Sequence, residues 1–303
     1  MGLVLGVDGG NSKTDVVVAT TDGDPVSFVR GGGSNSHGPG GSAACIDVIG
    51  SLVDLDEQAD RAVLFLCGAD LPHDVIELTQ LARARGWARD VTVDNDTFAL
   101  LHAGTDADDA VAVICGAGIN CVGRSRERIV RYPALGWETG DWGGAEALGQ
   151  EALYHANRAV DGRGEPTALV ELVELHFGKP VVEVGADLHY RRMARARLGE
   201  LAPAVVASDD AIAHELTQRL ADEIVLLVER AVRDLEVDDA DVVLGGGMLP
   251  DGGRLVSLVA EHLAVEPIVP TLPPVAGAVL AALDGEAHAR FREAFTGWRP
   301  ADG

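Results

Sequence analysis

A glycine-rich turn between two apolar stretches constrains this chain more than any other feature of its sequence. Residues 6–18 read GVDGGNSKTDVVV, and the β-branched run after the turn predicts a second strand rather than a helix. Glycines in such a turn let backbone N–H groups approach an anion closely. Asp8, at the end of the first strand, is placed to hold a metal ion or its waters near that anion. The segment predicts a hairpin that cradles phosphates, with an ordinary Asp-Gly hairpin as the alternative.

Two other phosphate-binding motifs are excluded at this turn. A P-loop requires a glycine directly before its lysine and a helix afterwards. Here Ser12 precedes Lys13, and strand-forming residues follow. The dinucleotide fingerprint G-x-G-x-x-G must open a helix, and that requirement fails as well.

Two further glycine clusters also follow strand-like segments. Residues 110–124 read AVAVICGAGINCVGR, which predicts two strands around a turn at Gly116, Ala117 and Gly118. Gly245 to Gly247 come directly after the strand-like residues 241–244 (DVVL). Packing alone explains three such turns poorly, whereas two similar half-molecules with a nucleotide clamped between them explain them well.

Composition narrows the classes of function. The 303 residues carry a formal charge of −24, which argues against binding to nucleic acids or anionic membranes. No apolar run has the length of a membrane span and no signal segment is evident, so we expect a cytoplasmic protein. The four cysteines lack CxxC spacing and are expected to be buried free thiols.

The order of predicted elements indicates an α/β fold made of two actin-like lobes. The first half is predicted as β-β-β-α-β-α-β-α, with a second hairpin turn at Asp22-Gly23 and helices at 42–55 and 73–86. The second half repeats this order, with a helix up to Leu263 and a final strand at 267–269. We predict an N-terminal lobe over 1–104, completed by a C-terminal helix at 285–298. The second lobe then covers 105–284, with a helical insertion at about 145–236.

The acidic run Asp94-Asn95-Asp96 follows an apolar strand and precedes a predicted helix. Polar side chains at that position of an α/β sheet face the ligand crevice. Asp96 is therefore a candidate general base. Capping of the following helix is the alternative, and the two roles are compatible.

Two loops are candidates for sugar recognition. Residues 136–144 (GWETGDWGG) combine an acid with two tryptophans, and carboxylates bond hydroxyls while aromatic faces pack on sugar rings. Asn35, in a Gly/Ser loop, carries an amide that can bond a hydroxyl or an acetamido group. The alternatives are a turn with core tryptophans and an asparagine that serves only its own turn.

With these motifs placed, the chain resembles the BadF/BadG/BcrA/BcrD ATPase family. Within it the chain is similar to the N-acetylglucosamine kinases of the acetate/sugar kinase, heat-shock protein and actin superfamily. The matching stretches occur in family order over nearly the whole chain: 6–14 (GVDGGNSKT), 32–37 (GGSNSH), 95–96 (ND), 115–123 (CGAGINCVG), 136–141 (GWETGD), 244–248 (LGGGM) and 273–278 (PPVAGA).

The resemblance implies a role for each matched position. Asp8 would hold Mg²⁺, and Asp96 would take the proton of the sugar hydroxyl. The ATP-binding positions would be Gly9, Gly10, Asn11, Ser12, Lys13, Gly116, Ala117, Gly118, Gly246 and Gly247. The sugar would contact Asn35, Asp96, Asn120 and Asp141, with Gly136 and Trp137 nearby.

Two positions depart from the family pattern. Trp142 stands where the family often has an acid next to Asp141, which bears on the identity of the sugar. Ala117 replaces a serine or threonine that is common in the second turn. That change removes a hydroxyl contact to phosphate but keeps the backbone cradle.

The leading hypothesis is an ATP-dependent kinase that phosphorylates N-acetylglucosamine on its C6 hydroxyl. Glucosamine or another hexosamine is the alternative substrate. From other classes, the alternatives are an ATPase that activates a dehydratase through an iron–sulfur cluster and a non-catalytic nucleotide or sugar sensor. The expected partners are a small sugar, ATP and Mg²⁺, without nucleic acid or membrane, and a homodimer is left open.

Overall fold

A computed structural model describes residues 2–126 and 128–297 of the chain. They form a mixed α/β structure with two sheets, which agrees with the predicted α/β class. The chain divides into two compact units, Met1–Ala112 with Pro270–Gly303 and Val113–Val269. Within the part of the chain so described, no helix is long and apolar enough to cross a membrane.

The elements alternate between short strands and helices. In chain order the strands are β1 (Leu3–Gly9), β2 (Lys13–Thr20), β3 (Pro25–Gly32), β4 (Ala59–Leu66), β5 (Ala88–Asn95), β6 (Asp109–Cys115), β7 (Ile119–Ser125), β8 (Arg128–Arg131) and β9 (Asp241–Gly245). The helices are α1 (Gly41–Gly50), α2 (Pro72–Ala84), α3 (Thr97–Gly104), α4 (Gly144–Val160), α5 (Leu169–Phe177), α6 (Val181–His189), α7 (Ala202–Ala207), α8 (Ala211–Leu235), α9 (Arg254–Ala260), α10 (Pro274–Ala282) and α11 (Gly285–Gly297), with 3-10 segments at Gly136–Thr139 and Arg195–Leu201.

The sheet of the first unit has the order β3-β2-β1-β4-β5. The β1–β2 and β2–β3 pairs are antiparallel hairpins, as the two predicted turns require, and β1–β4 and β4–β5 are parallel. Parallel pairing places the carboxyl ends of β1, β4 and β5 at one edge, where Leu66 of β4 lies beside Asn95 of β5. Polar residues that follow these three strands therefore share that edge.

The central strands β1, β2 and β4 are buried on both faces, which explains their nearly continuous apolar residues. On one face Leu5, Val16 and Leu64 belong to a core cluster that includes Ile46 and Ile49 of α1. On the other face α10 passes so close to β1 that a Cβ on Gly6 would meet Val279 at 2.6 Å.

The second sheet has the order β8-β7-β6-β9, and β7, β8, β9 and the end of β6 from Val113 lie in the second unit. The strand predicted at 267–269 is reduced to a single parallel bridge between Val243 and Ile268. The longest helix is α8, whose N-cap Asp210 accepts hydrogen bonds from the N–H groups of Ile212 and Ala213.

Two predicted boundaries are wrong, and both concern apolar residues outside helices. The helix predicted over 42–55 ends at Gly50. Leu52, Val53 and Leu55 nevertheless pack against the core from the following turn and loop, so their apolar character does not extend the helix. The helix predicted up to Leu263 ends at Ala260. For the C-terminal helix predicted over 285–298, the structure gives α11 up to Gly297, and Trp298 lies outside the described residues.

A close helix contact yields the first testable prediction. A Cβ on Gly277 of α10 would overlap the Ala99 carbonyl oxygen of α3 and lie 2.7 Å from the Ala103 nitrogen. We expect Gly277→Ala to lower the free energy of unfolding by about 1–3 kcal/mol, because the overlap is with backbone that cannot rotate away. Urea denaturation measures the change. Gly285→Ala is the control, since a Cβ there meets nothing within 4 Å, and equal stability of the two variants would contradict the prediction.

Candidate functional site

The first glycine turn joins β1 and β2 and leaves part of its backbone available. The Gly10 N–H donates to the Lys13 carbonyl at 2.9 Å, so this group is used inside the turn. Asn11 and Ser12 are exposed, and within the described residues their N–H groups donate to no backbone carbonyl. Two adjacent N–H groups at an exposed turn form the kind of concavity that binds anions.

The lysine of this turn is held by an acid of its own hairpin. Lys13 Nζ lies 2.9 Å from Asp15, whose other partner is Arg30 at 2.6 Å. Burial favours the neutral form of Asp15, but hydrogen bonds from Arg30 and Lys13 outweigh it and lower the pKa of Asp15. The Lys13 side chain is still 44% exposed, so its charge remains accessible from solvent.

Asp8 ends β1 beside this turn and is only partly exposed. Burial raises the pKa of Asp8 to about 6; Lys13 and Arg30 offset part of the rise and Asp15 adds to it. Among the described residues the Asp8 carboxylate forms no ion pair or hydrogen bond. It therefore keeps oxygen atoms for a hard cation such as Mg²⁺, which proteins often hold by one or two carboxylates together with substrate phosphates. In the described part of the chain, no three His, Cys, Asp or Glu residues are grouped as a metal site, so the residues fit such a shared ion better than a full protein cage.

The loop that carries Asn35 is bonded to the first turn. The Asn35 amide nitrogen donates to the Asn11 side-chain oxygen, and the Asn35 oxygen accepts the His37 N–H at 2.7 Å. The Ser34 N–H donates to the Gly10 carbonyl at 3.0 Å. The structure thus brings a predicted sugar-binding residue and a predicted nucleotide-binding turn together within the first unit.

Asp96 stands between β5 and α3, as its sequence position predicts. Its side chain forms no cap hydrogen bond to α3; the Asn95 side-chain oxygen instead accepts the Thr97 N–H at 2.9 Å. The Asn95 side chain thus contributes to the start of α3 next to Asp96. Burial and the charges of Asp8 and Asp70 raise the pKa of Asp96 to about 7, while the backbone N–H groups of Thr97 and Asp96 offset part of the rise.

A carboxyl group with a pKa near 7 is suited to proton transfer at neutral pH. The coupling between Asp96 and Asp8 also indicates that these two predicted residues lie near each other in the first unit. Asp70 shares this environment, although the sequence interpretation did not include it. Its position after β4 follows the same strand-end rule that identified Asp96, so that rule applied to every strand would have found it.

The second and third glycine clusters meet in the second unit. The turn at Gly116–Gly118 closes through a 2.9 Å hydrogen bond, and its carbonyls accept the N–H groups of Ala145 and Glu146 at the start of α4. Gly246 has a φ of +97°, and a Cβ there would overlap the Cys115 carbonyl that ends β6. Met248 N–H donates to that same carbonyl at 3.0 Å. The predicted phosphate and adenosine turns therefore share one backbone junction.

The remaining predicted sugar residues lie in the same unit. The Asn120 side-chain oxygen accepts the Cys121 N–H at 2.7 Å. Asp141 accepts the Thr139 hydroxyl, and its own N–H donates to the Gly136 carbonyl at 3.0 Å, which shapes the loop 136–141. Trp137 is 85% exposed and so is not a core residue.

Trp142, the departure next to Asp141, has a partner that the sequence did not reveal. The guanidinium carbon of Arg219 on α8 lies 3.8 Å from the centre of the Trp142 ring. Such a cation–π contact is favourable by about 0.5–1 kcal/mol at an exposed site. It fixes the end of the 136–141 loop to the helical segment of the unit.

Comparisons with known proteins identify the family of the chain. The model of the BadF/BadG/BcrA/BcrD ATPase family matches residues 5–283. An N-acetylmuramic acid/N-acetylglucosamine kinase of Clostridium acetobutylicum is 26% identical over 263 residues, which cover 82% of this chain and 86% of that protein. An N-acetyl-D-glucosamine kinase of Dictyostelium discoideum is 24% identical over 314 residues, covering 94% of this chain and 98% of that protein.

Solved structures show the same fold. A protein of Chromobacterium violaceum, described as a candidate N-acetylglucosamine kinase, superimposes with a TM-score of 0.74 at 20% identity, over 94% of this chain and 99% of that one. A ROK family glucokinase of Streptomyces griseus, in complex with glucose and AMPPNP, gives a TM-score of 0.59 at 17% identity, over 93% and 98% of the two chains.

The raised pKa of Asp96 predicts a pH-dependent cost in stability. Between the pKa of an unfolded aspartate, about 4, and that of folded Asp96, the folded state binds more protons, so stability falls as pH rises through this window. We expect Asp96→Asn to raise the free energy of unfolding at pH 8 by on the order of 1–3 kcal/mol and to change it little at pH 4. Urea denaturation at both pH values measures this. A variant that is equally or less stable at pH 8 would contradict the assigned environment of Asp96.

Proposed function

The chain belongs to the BadF/BadG/BcrA/BcrD ATPase family, and from that premise we propose that it is an ATP-dependent kinase of an amino sugar. The observation that carries the proposal is Asp96, a half-buried carboxyl group at the carboxyl edge of the first sheet, whose pKa is raised to about 7 by burial and by the charges of Asp8 and Asp70. A hydroxyl acceptor needs a proton acceptor of this kind, whereas simple nucleotide binding does not.

Recognition of ATP is assigned to the glycine turns. The exposed N–H groups of Asn11 and Ser12, with the charge of Lys13, suit phosphate oxygens. Gly9 and Gly10 complete that turn, and Gly116, Ala117 and Gly118 form the second one. Gly246 and Gly247 are assigned to the adenosine. The family description and the AMPPNP complex of the Streptomyces griseus glucokinase support the use of ATP.

The proposed reaction is an in-line transfer of the γ-phosphoryl group. Asp96, in its carboxylate form, takes the proton of the sugar hydroxyl while the hydroxyl oxygen bonds to the γ-phosphorus. The bond from that phosphorus to the β–γ bridging oxygen breaks, and ADP leaves. Catalysis of this step comes mainly from positioning and from charge stabilisation by backbone N–H groups and Lys13.

Asp8 is the residue proposed to hold Mg²⁺, directly or through its waters. When bound, the ion would neutralise charge on the phosphates. Its binding would also favour the ionised form of Asp8, which burial disfavours in the protein alone.

We propose two lobes close to the predicted ones, with 1–104 and the C-terminal helix in one and the chain from residue 105 in the other, except that α10 joins the first because it packs on β1 and α3. The strand orders support an actin-like duplication, because β1 and β6 each have the next two strands on one side, and on the other side β1 has β4 and β5 while β6 has β9. The helices between 145 and 236 would be the insertion, and a homodimer is left to experiment.

N-acetylglucosamine, phosphorylated at its C6 hydroxyl, is the proposed substrate. Both curated relatives carry that sugar in their names. Asn35 and Asn120 offer amides for hydroxyl or acetamido groups, and Asp141 suits a pair of hydroxyls, with Gly136 and Trp137 beside it. Because Trp142 replaces an acid that is common in the family at this position, glucosamine or another hexosamine is the alternative substrate.

Activation of a dehydratase through an iron–sulfur cluster is a weaker candidate function for this chain. An iron–sulfur cluster needs accessible thiolates. Cys45, Cys115 and Cys121 are buried, and burial raises the pKa of Cys45 to about 11 and that of Cys115 to about 12. A non-catalytic sensor is disfavoured by the presence of Asp96 itself.

Asp96→Asn tests the assigned base. We expect kcat for sugar phosphorylation to fall by about 10²–10⁴-fold, while ATP binding measured by calorimetry is retained. In the unmodified protein, kcat/KM for the sugar should rise with pH up to about 7, because only the carboxylate of Asp96 accepts a proton. A variant with normal kcat would remove Asp96 from the mechanism.

A sugar panel tests the substrate. We expect kcat/KM for N-acetylglucosamine to exceed that for glucose by at least about 100-fold, since a site built to bond a polar group rejects analogues that lack it. Coupled detection of ADP with N-acetylglucosamine, N-acetylmuramic acid, glucosamine and glucose measures this ratio. Equal turnover of glucose would keep the kinase class but reject this substrate.

A further inference from the structure

Asp70 lies at the carboxyl edge of the first sheet but has no role in the reaction as described so far. It follows β4 in the turn 67–70, next to the strand β5 that leads to Asp96. Gly68 in this turn has a φ of +86°, and a Cβ there would overlap the Ser36 hydroxyl. The turn is therefore packed directly under the loop that carries Asn35.

One oxygen of Asp70 is bonded to the segment that presents Asp96. The Asn95 amide nitrogen donates to Asp70 Oδ1 at 2.7 Å, and the other end of the same amide accepts the Thr97 N–H. Asn95 is only 3% exposed, so both bonds lie in a low-dielectric interior, where a hydrogen bond is electrostatically stronger than in water. Asp70 thus fixes the orientation of Asn95, and Asn95 fixes the first residue of α3.

The other oxygen of Asp70 faces the sugar loop. His37 lies between two acids, with Nδ1 at 3.9 Å from Asp70 Oδ2 and Nε2 at 3.8 Å from Asp74 Oδ1. The backbone N–H of the same histidine donates to the Asn35 side chain. The Asp70 carboxylate therefore contacts both Asn95, next to the proposed base Asp96, and His37, in the loop that carries Asn35.

We infer that Asp70 is a positioning residue for the proposed phosphoryl transfer, which orients Asp96 through the Asp70–Asn95 hydrogen bond and places a negative charge close to the Asp96 carboxyl. This inference rests on the proposed function for its catalytic meaning. Its structural content, the link from Asp70 to Asp96, can be measured without any substrate.

The charged groups around both acids support the electrostatic part. Asp8 and Asp70 face Asp96 and disfavour its charged form, while the N–H groups of Thr97 and Asp96 favour it. The Cys67 thiol is also near Asp96 and stays neutral, since burial raises its pKa to about 12. Asp70 itself is faced by His37, Asp74 and Asn95, and burial raises its pKa. Removal of the Asp70 charge should lower the pKa of Asp96.

The first experiment follows the titration of Asp96 by NMR of protein labelled with ¹³C at the aspartate carboxyl carbons. Asp96→Asn identifies the signal. We expect Asp70→Asn, which keeps an oxygen for Asn95 but loses the charge, to lower the apparent pKa of Asp96 by about half a unit to one unit. An unchanged titration overturns the electrostatic part of the inference, whether or not the protein phosphorylates a sugar.

Asp74→Asn is the matched control. It removes the same charge beside the same histidine, but Asp74 does not touch Asn95 and is not among the groups that shift Asp96. We expect it to leave the Asp96 titration in place. An equal shift in this control would show a general charge effect and would contradict a specific role for Asp70.

The second experiment is a double-mutant cycle on the Asp70–Asn95 hydrogen bond. We expect Asp70→Ala and Asn95→Ala each to lower kcat by about 10-fold with a smaller change in the sugar KM, and the double variant to be little worse than either single one. Additive losses would overturn the positioning role. If the unmodified protein phosphorylates none of the sugars while Asp70→Asn still shifts Asp96, the proposed function fails and the link between the two acids stands.

Discussion

The first unit depends on the partial burial of several carboxyl groups at the carboxyl ends of β1, β4 and β5, the parallel strands of its sheet. Desolvation is the largest influence on both Asp8 and Asp96, and it opposes the charge that each group needs for its proposed role. Asp15, in the same hairpin, differs because Arg30 and Lys13 supply compensating hydrogen bonds. The sheet therefore separates an acid that is paired for stability from acids that are left poised for a ligand.

Backbone proximity makes that arrangement possible. Gly277 lets α10 approach α3, and Gly6 lets α10 approach β1, so on that face the helices lie close to each other and to the sheet. On the opposite face α1 and α2 pack through the core cluster that contains Ile46, Ile49 and Leu78. The tight cover fixes the strand ends, and fixed strand ends keep Asp8, Asp70 and Asp96 in mutual range without a direct bond between them.

The strand–turn–strand motifs were predictable because glycine, aspartate and β-branched residues report local geometry. The hairpins on either side of β2, the start of α3 at Thr97 and the position of Asp96 all follow from such local signals. The end of α1 did not follow, because Leu52, Val53 and Leu55 serve the core from a turn and loop. Asp70, the pairing of Lys13 with Asp15 and the contact of Trp142 with Arg219 depend on residues that are distant or on other strands, and no local pattern encodes them.

The Trp142–Arg219 contact has a consequence for how this chain could have diverged. An acid at position 142 would sit against the same guanidinium as an ion pair, whereas the tryptophan meets it with the face of its ring. A substitution at one of these two positions therefore changes how much the side chain at the other contributes to the stability of the contact. In related chains, the residue at position 142 and the residue at position 219 on α8 should therefore change together, so the sequence of α8 should vary with that of the loop it contacts.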